Sequence, residues 1–261
     1  MAQPRPEVIA SPKNPLLKEV RRAASRGELT SHGLCVAESF HLLEEALRSG
    51  CRIDTVLVAE SARARVPTVA GARVITVADK AFAEVAATEA SQGVIALVEP
   101  RRWTLDDVLR ADSMAVLLDG IQDPGNAGAI VRCAEAFGAS GAVLLKGTVS
   151  PFNPKTLRAS AGSLFRLPFV AGLDGAAVKE VLKEKGLAWF AADPQGKFLL
   201  ADADLTQPFA LVIGAEGQGV SGVLMNGAQG LRIPTVQVES LNAATAAAVI
   251  LYEASRQRGR P

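Results

Sequence analysis

Histidine is almost missing from this chain and cysteine is scarce: His32 and His41, with Cys35, Cys51 and Cys133, are all there is in 261 residues. So few nitrogen and sulfur donors, so widely spaced, exclude a disulfide framework and a His/Cys metal centre. The odd thiol count points to a reducing cytoplasm. Because both histidines come within the first 41 residues, no serine of the later chain has a histidine partner nearby, which argues against a hydrolase triad. No apolar run reaches the ~18 residues of a membrane span, and the opening Met-Ala-Gln-Pro-Arg-Pro lacks the apolar core of a signal peptide. The expectation is a cytoplasmic protein with no membrane partner and no metal. Net charge is also missing: at +1, bulk electrostatics cannot hold a nucleic acid, so any such contact is local.

With 49% hydrophobic and 21% charged residues, the chain can fill a core. Its length exceeds the ~100–150 residues common for one domain, which predicts two units or one large α/β unit. Pro100 within Glu99-Pro-Arg-Arg-Trp103 punctuates the pattern, so the domains are set at 1–105 and 106–261, with charges of +2 and −1. Residues 1–30 hold a local excess of three positive charges, from Arg5, Lys13, Lys18, Arg21, Arg22 and Arg26. They flank an apolar stripe at Leu16, Leu17, Val20, Ala23 and Ala24, which predicts an amphipathic helix. Its basic side is either a solvated face or a phosphate-contacting arm.

Strands are predicted at 33–38, 53–59, 73–77 and 93–98, with helices at 39–49 and 79–87 between them. Beyond residue 113, the runs 114–118, 141–145, 187–191 and 209–213 are apolar without polar alternation, as in a parallel sheet covered on both faces. Helices are expected at about 127–137, 154–163, 175–185 and 241–256. The fold class is therefore α/β.

Ligands of open α/β sheets sit at the carboxyl ends of strands, so the loops there carry the functional reading. One runs Asp119-Gly-Ile-Gln-Asp-Pro-Gly-Asn126, where Asn126 reads first as a helix cap, with Arg132 presented by the following turns. The next, Gly214-Ala-Glu216-Gly-Gln-Gly219, offers bare backbone to a flat polar ligand but matches neither a dinucleotide fingerprint nor a P-loop. The last, Ile233 to Asn242, leads into an alanine-rich helix that Ser240 or Asn242 would cap.

Taken together, Asn126-x-Gly-Ala-Ile-x-Arg132, Ile213-Gly-x-Glu216-Gly, and Ile233-Pro234 leading to Ser240-Leu-Asn242 resemble the three motifs of the SpoU (TrmH) family of RNA ribose 2′-O-methyltransferases, of the SPOUT superfamily. The likeness spans about residues 112–258. Asn153-Pro-Lys155-x-x-Arg158-Ala-Ser160-x-Gly-Ser163 is similar to a segment between the first two motifs. Residues 1–98 resemble, less specifically, an L30e-like substrate-binding domain. The resemblance implies a deep trefoil knot, S-adenosylmethionine bound within it, a homodimer, and RNA, ribosomal before transfer RNA, as substrate. It further implies a donor pocket at Gly214, Gly219, Ile233 and Leu241, and a catalytic cluster of Asn126, Arg132, Glu216, Ser240 and Asn242. Glu216 would position the arginine. Thr235 and Ala243-Ala244 depart from residues frequent in the family. RNA contacts fall to Lys13, Arg21, Arg22, Lys155, Arg158 and Ser160. Arg132 would either take the hydroxyl proton or stabilise the developing alkoxide beside a phosphate. The competing implication is a catalytically inactive RNA-binding assembly or resistance factor on the same fold, and a nicotinamide oxidoreductase stands third.

Overall fold

The structure, a computed structural model, describes residues 7–88 and 91–259. Arg5, placed in the basic arm above, lies outside the described residues, as do the other residues before Glu7. Two compact units form. One comprises the chain up to Arg102 together with Phe152–Phe165, the other Trp103–Pro151 together with the chain from Arg166.

The first unit is built from β1 (Glu7–Ile9), α1 (Pro15–Arg26), β2 (Cys35–Glu38), α2 (Phe40–Arg48), β3 (Ile53–Ala59), β4 (Arg73–Val77), α3 (Asp79–Ala83) and β5 (Val94–Val98). Its mixed sheet has the order β1-β4-β3-β5-β2, with β5 antiparallel to both neighbours. Asn14 caps α1 by accepting the Leu16 N–H, and Pro15 supplies a pre-set first turn. The helix buries Leu17, Val20, Ala23 and Ala24 and leaves Lys18, Arg21 and Arg22 in solvent. Ser39 caps α2, as its position predicts.

The second unit starts with α4 (Leu105–Val108), β6 (Met114–Asp119), α5 (Pro124–Ala136) and β7 (Gly141–Leu145). The chain then lends α6 (Pro154–Ala159) to the first unit. It continues with β8 (Phe169–Leu173), α7 (Gly175–Glu184), β9 (Ala188–Ala192), β10 (Phe198–Leu199), β11 (Phe209–Gly214), α8 (Gly222–Met225), β12 (Gln229–Arg232) and α9 (Ala243–Gln257). Among the described residues these strands form one parallel sheet, β10-β12-β9-β11-β6-β7-β8. Both faces are covered, and Leu117, Val143, Ala191 and Val212 are inaccessible to solvent. Burial of each of the Leu and Val side chains contributes ~1.5–3 kcal/mol. Trp189 joins this core with its indole N–H donating to the Leu224 carbonyl, so the burial leaves no orphan donor. No helix among the described residues is long and apolar enough to cross a membrane.

Three differences from the sequence-based expectations have local causes. Strands β8, β10 and β12 were not expected: β8 contains Gly172 at positive φ and a register shift, β10 is two residues long, and β12 buries only Leu231. Helix α3 ends at Ala83, and the chain beyond it is held by the buried Glu38 carboxylate, which takes the Ala87 N–H at 2.8 Å and the Thr88 hydroxyl at 2.6 Å. The segment 152–165, counted above with the second domain, instead packs its Leu157, Leu164 and Phe165 into the first unit.

Arg158 brings Nη1 to 3.9 Å from Glu38, whose side chain is 3% exposed. The guanidinium therefore sits by a carboxylate and is only partly exposed. Gly162 (φ +90°) passes so close to Glu45 that an added Cβ would lie 2.6 Å from the Glu45 Cβ. Glu38→Ala would orphan the Ala87 and Thr88 donors and the Arg158 charge in one step. We expect the unfolding free energy to fall by about 2–4 kcal/mol. An unchanged denaturant midpoint would rule out a structural role for this carboxylate.

Candidate active site

The site is assembled where β6, β11 and β12 end. Asp123 and Pro124 start α5: the Asp123 carboxylate caps it by accepting the Asn126 N–H at 2.7 Å, with Pro124 as the first helical residue. Asn126 is thus inside the first turn and not its cap, a correction to the sequence reading, and its side-chain amide is released for another partner. That partner is Glu216, whose Oε1 accepts the Asn126 Nδ2 at 3.0 Å. The same oxygen accepts the Asn242 Nδ2 at 2.7 Å, and Asn242 Nδ2 also reaches the Asn126 Oδ1 at 3.0 Å.

Asn242 has a second duty. Its Oδ1 caps α9 by accepting the Ala244 and Thr245 N–H groups. A flip of this amide would aim an NH2 at helix donors and an oxygen at a carboxylate, so the two roles fix one orientation. Ser240 is not the cap; it is exposed on the wall of the adjoining cavity.

Glu216 rides on a tight turn closed by the Gly219 N–H donating to the Ala215 carbonyl at 2.8 Å. Gly214 lies flat against this turn, and a Cβ there would lie 2.1 Å from the Gly219 carbonyl carbon. The Asp119 carboxylate, in register with Gly214 on the neighbouring strand, holds the turn's far end by accepting the Ser221 N–H at 2.7 Å.

A cavity of about 580 Å³ opens on one side of the turn, within the range of small-molecule sites. Gly214, Gly219, Ile233 and Leu241, the expected donor-pocket residues, all line it, together with Glu216, Ser240 and Asn242. Its apolar wall adds Ile213, Leu231 and Ile250. Asp193, Glu216 and Glu239 also line it, with no lysine or arginine among the described lining residues, which suits a cationic ligand. The wall Asp193-Pro194-Gln195 was missed in the sequence, although it follows an expected strand, and the strand-end rule applied equally to that loop. Thr235, one of the departures from the family pattern, also lines this cavity, its hydroxyl donating to the Val238 carbonyl.

Arg132 is placed elsewhere. It is exposed on α5, makes no hydrogen bond or ion pair among the described residues, and lines neither this cavity nor its neighbour. Glu216 is therefore engaged by two asparagines and does not position the arginine within one chain. Of the residues assigned to RNA, Lys13, Arg21, Arg22 and Lys155 are exposed. Arg158 is paired as described, and Ser160 is a correction: it is fully buried and its hydroxyl donates to the Leu157 carbonyl, so it offers nothing to RNA. Cysteine nucleophiles are out of place here, since burial pushes the Cys35 thiol up to about 12 and raises that of Cys133.

Comparison with known proteins fits this geometry. The profile of the SpoU rRNA Methylase family matches residues 113–252, and that of the MRM3-like substrate binding domain matches residues 14–96. The chain is 33% identical over 246 residues to the 23S rRNA (guanosine(2553)-2'-O)-methyltransferase RlmP of Bacillus subtilis, covering 94% of this chain and 97% of that one. It is 38% identical over 182 residues to a 23S rRNA (uridine(2479)-2'-O)-methyltransferase of Streptomyces viridochromogenes, covering 65% and 62%. Among solved structures, the SpoU methyltransferase AviRb of Streptomyces viridochromogenes in complex with AdoMet aligns with a TM-score of 0.83 at 30% identity, over 94% of this chain and 98% of that one. An AdoMet-bound rRNA methyltransferase of Sinorhizobium meliloti aligns at 0.80 and 29%, over 96% and 97%.

Gly214→Ala drives a methyl group into the Gly219–Val220 peptide, which cannot move without opening the turn. The expected cost is about 2–4 kcal/mol by calorimetry. Gly222→Ala, which meets nothing within 4 Å, should be neutral or slightly stabilising. Equal behaviour of the two variants would refute the packing argument.

Proposed function

The chain belongs to the SpoU rRNA methylase family, and on that premise we propose that it methylates a ribose 2′-hydroxyl of structured RNA, ribosomal rather than transfer RNA. S-adenosylmethionine is the cofactor. Bound, it supplies an electrophilic methyl group on a sulfonium. The observation that carries the proposal is the Glu216 carboxylate, gripped by Asn126 and Asn242 at the mouth of a cavity whose charged lining is all acidic.

The chain's own residues divide the work. Ile213, Leu231, Ile233 and Leu241 would exclude water from the donor, while Asp193, Glu216 and Glu239 balance its positive charge. Asn126 and Asn242 hold Glu216 in one place. A guanidinium is effectively always protonated, so Arg132 is assigned to binding an RNA phosphate and stabilising the developing alkoxide rather than to removing the proton.

Four further features belong to the same proposal. Residues 106–261 are read as a deep trefoil knot, supported by the way the chain leaves β12 between β10 and β9 and returns as α9 against α5. The first unit is read as an L30e-like RNA-binding domain, supported by its profile match and by exposed Lys13, Arg21 and Arg22. A homodimer is proposed from the exposed Val249 and Tyr252 on α9, Tyr252 meeting Phe137 edge-on at 5.8 Å, and from Arg132, which needs a second chain to find a cavity. The setting is the cytoplasm.

S-adenosylmethionine should raise the Tm by several degrees, whereas NAD should not. Arg132→Ala should abolish methyl transfer, read by mass spectrometry of RNA nucleosides, while donor affinity stays within about twofold. Donor binding without any transfer by the wild-type protein would favour the inactive assembly factor. Full turnover by the variant would remove Arg132 from the mechanism.

A further inference from the structure

A second cavity, of about 510 Å³, lies across the Glu216 turn from the first and is lined in part by Asp119, Gln122, Asp123, Asn126, Glu216 and Gln218. Ala215, Glu216, Gln218 and Gly219 line both cavities, so the turn is the partition between them. Asn126 lines the second cavity and Asn242 the first, and both donate to the Glu216 carboxylate, which lines both. A methyl group leaving a donor in the first cavity needs its acceptor directly beside that partition.

Charge decides what part of an RNA enters. The described lining holds Asp119, Asp123 and Glu216 and no lysine or arginine, which repels phosphate. Asp119 spends one carboxylate oxygen on the Ser221 N–H, Asp123 one on the Asn126 N–H, and Glu216 one on the two asparagines. Each keeps a second oxygen without a hydrogen bond among the described residues. Such a wall wants hydrogen-bond donors. Guanine offers two adjacent ones, N1–H and N2–H, which a carboxylate can accept together, whereas uracil turns mainly carbonyl oxygens to its surroundings.

We infer that this second cavity is the acceptor pocket and that it selects a flipped-out guanosine through the Asp119 carboxylate. The assignment rests on the methyltransferase reading above and goes beyond it by choosing the base. Sequence-specific recognition of RNA commonly reads bases splayed out of the stack by hydrogen bonds to their edges.

The test uses the full chain, S-adenosylmethionine, and unmodified transcripts of 23S ribosomal RNA and transfer RNA, digested to nucleosides for mass spectrometry. The expected product is 2′-O-methylguanosine. Asp119→Asn keeps an oxygen for the Ser221 N–H but presents an NH2 to the cavity. It should reduce kcat/KM for RNA roughly tenfold or more at unchanged donor affinity. A methylated uridine, cytidine or adenosine, or an unaffected variant, overturns the assignment and leaves the methyltransferase reading standing. Donor binding with no methylated nucleoside, or no donor binding, overturns both.

Discussion

Everything at the site depends on one carboxylate oxygen being shared. Glu216 Oε1 receives amides from Asn126 and Asn242, residues on separate helices and 116 positions apart in sequence. All three side chains are at least partly exposed, so water competes for them and the bonds add little to stability. Their value is positional. Asn242 has a single amide oxygen, which α9 takes for its cap, and only its nitrogen is left to face Glu216. The placement of α9 therefore dictates where the carboxylate points.

That placement is set by packing behind the site. Strands β6 and β11 pair residue for residue from Phe209 with Met114 to Gly214 with Asp119. The alignment puts the carboxylate that anchors Ser221 beside the glycine that supports the turn. Helices α5 and α9 pack on each other and deliver the two asparagines from opposite sides of the turn. A one-residue slip would exchange the inward and outward side chains of β11 and separate Asp119 from its partner.

The buried strands of the parallel sheet were legible because both faces reject polar residues, and the cap at Ser39 because its side chain has one local use. Asn126 was misread for an instructive reason. Its neighbours Asp123-Pro124 form a better helix start, and once they take the cap the asparagine is free for a contact ninety residues away. No local pattern encodes that. The same holds for Ser160, polar in a segment that looks solvated, yet buried with its hydroxyl satisfied one turn back. Arg158 also looked like a surface cation, and only the fold reveals Glu38 beside it. Motif spacing picked out Gly214, Gly219, Ile233 and Leu241, which the fold brings to one cavity, but not the 193–195 wall, which carries no motif of its own.

Charge separates the two tasks an RNA methyltransferase must perform. Both cavities present carboxylates and, among their described lining residues, no cation, which favours a sulfonium and opposes the RNA backbone. A group that holds phosphate would have to lie outside them, and Lys13, Arg21, Arg22 and Lys155 of the first unit are exposed cations. Arg132 belongs to neither set: it is an exposed cation on α5 that makes no hydrogen bond or ion pair among the described residues and lines neither cavity.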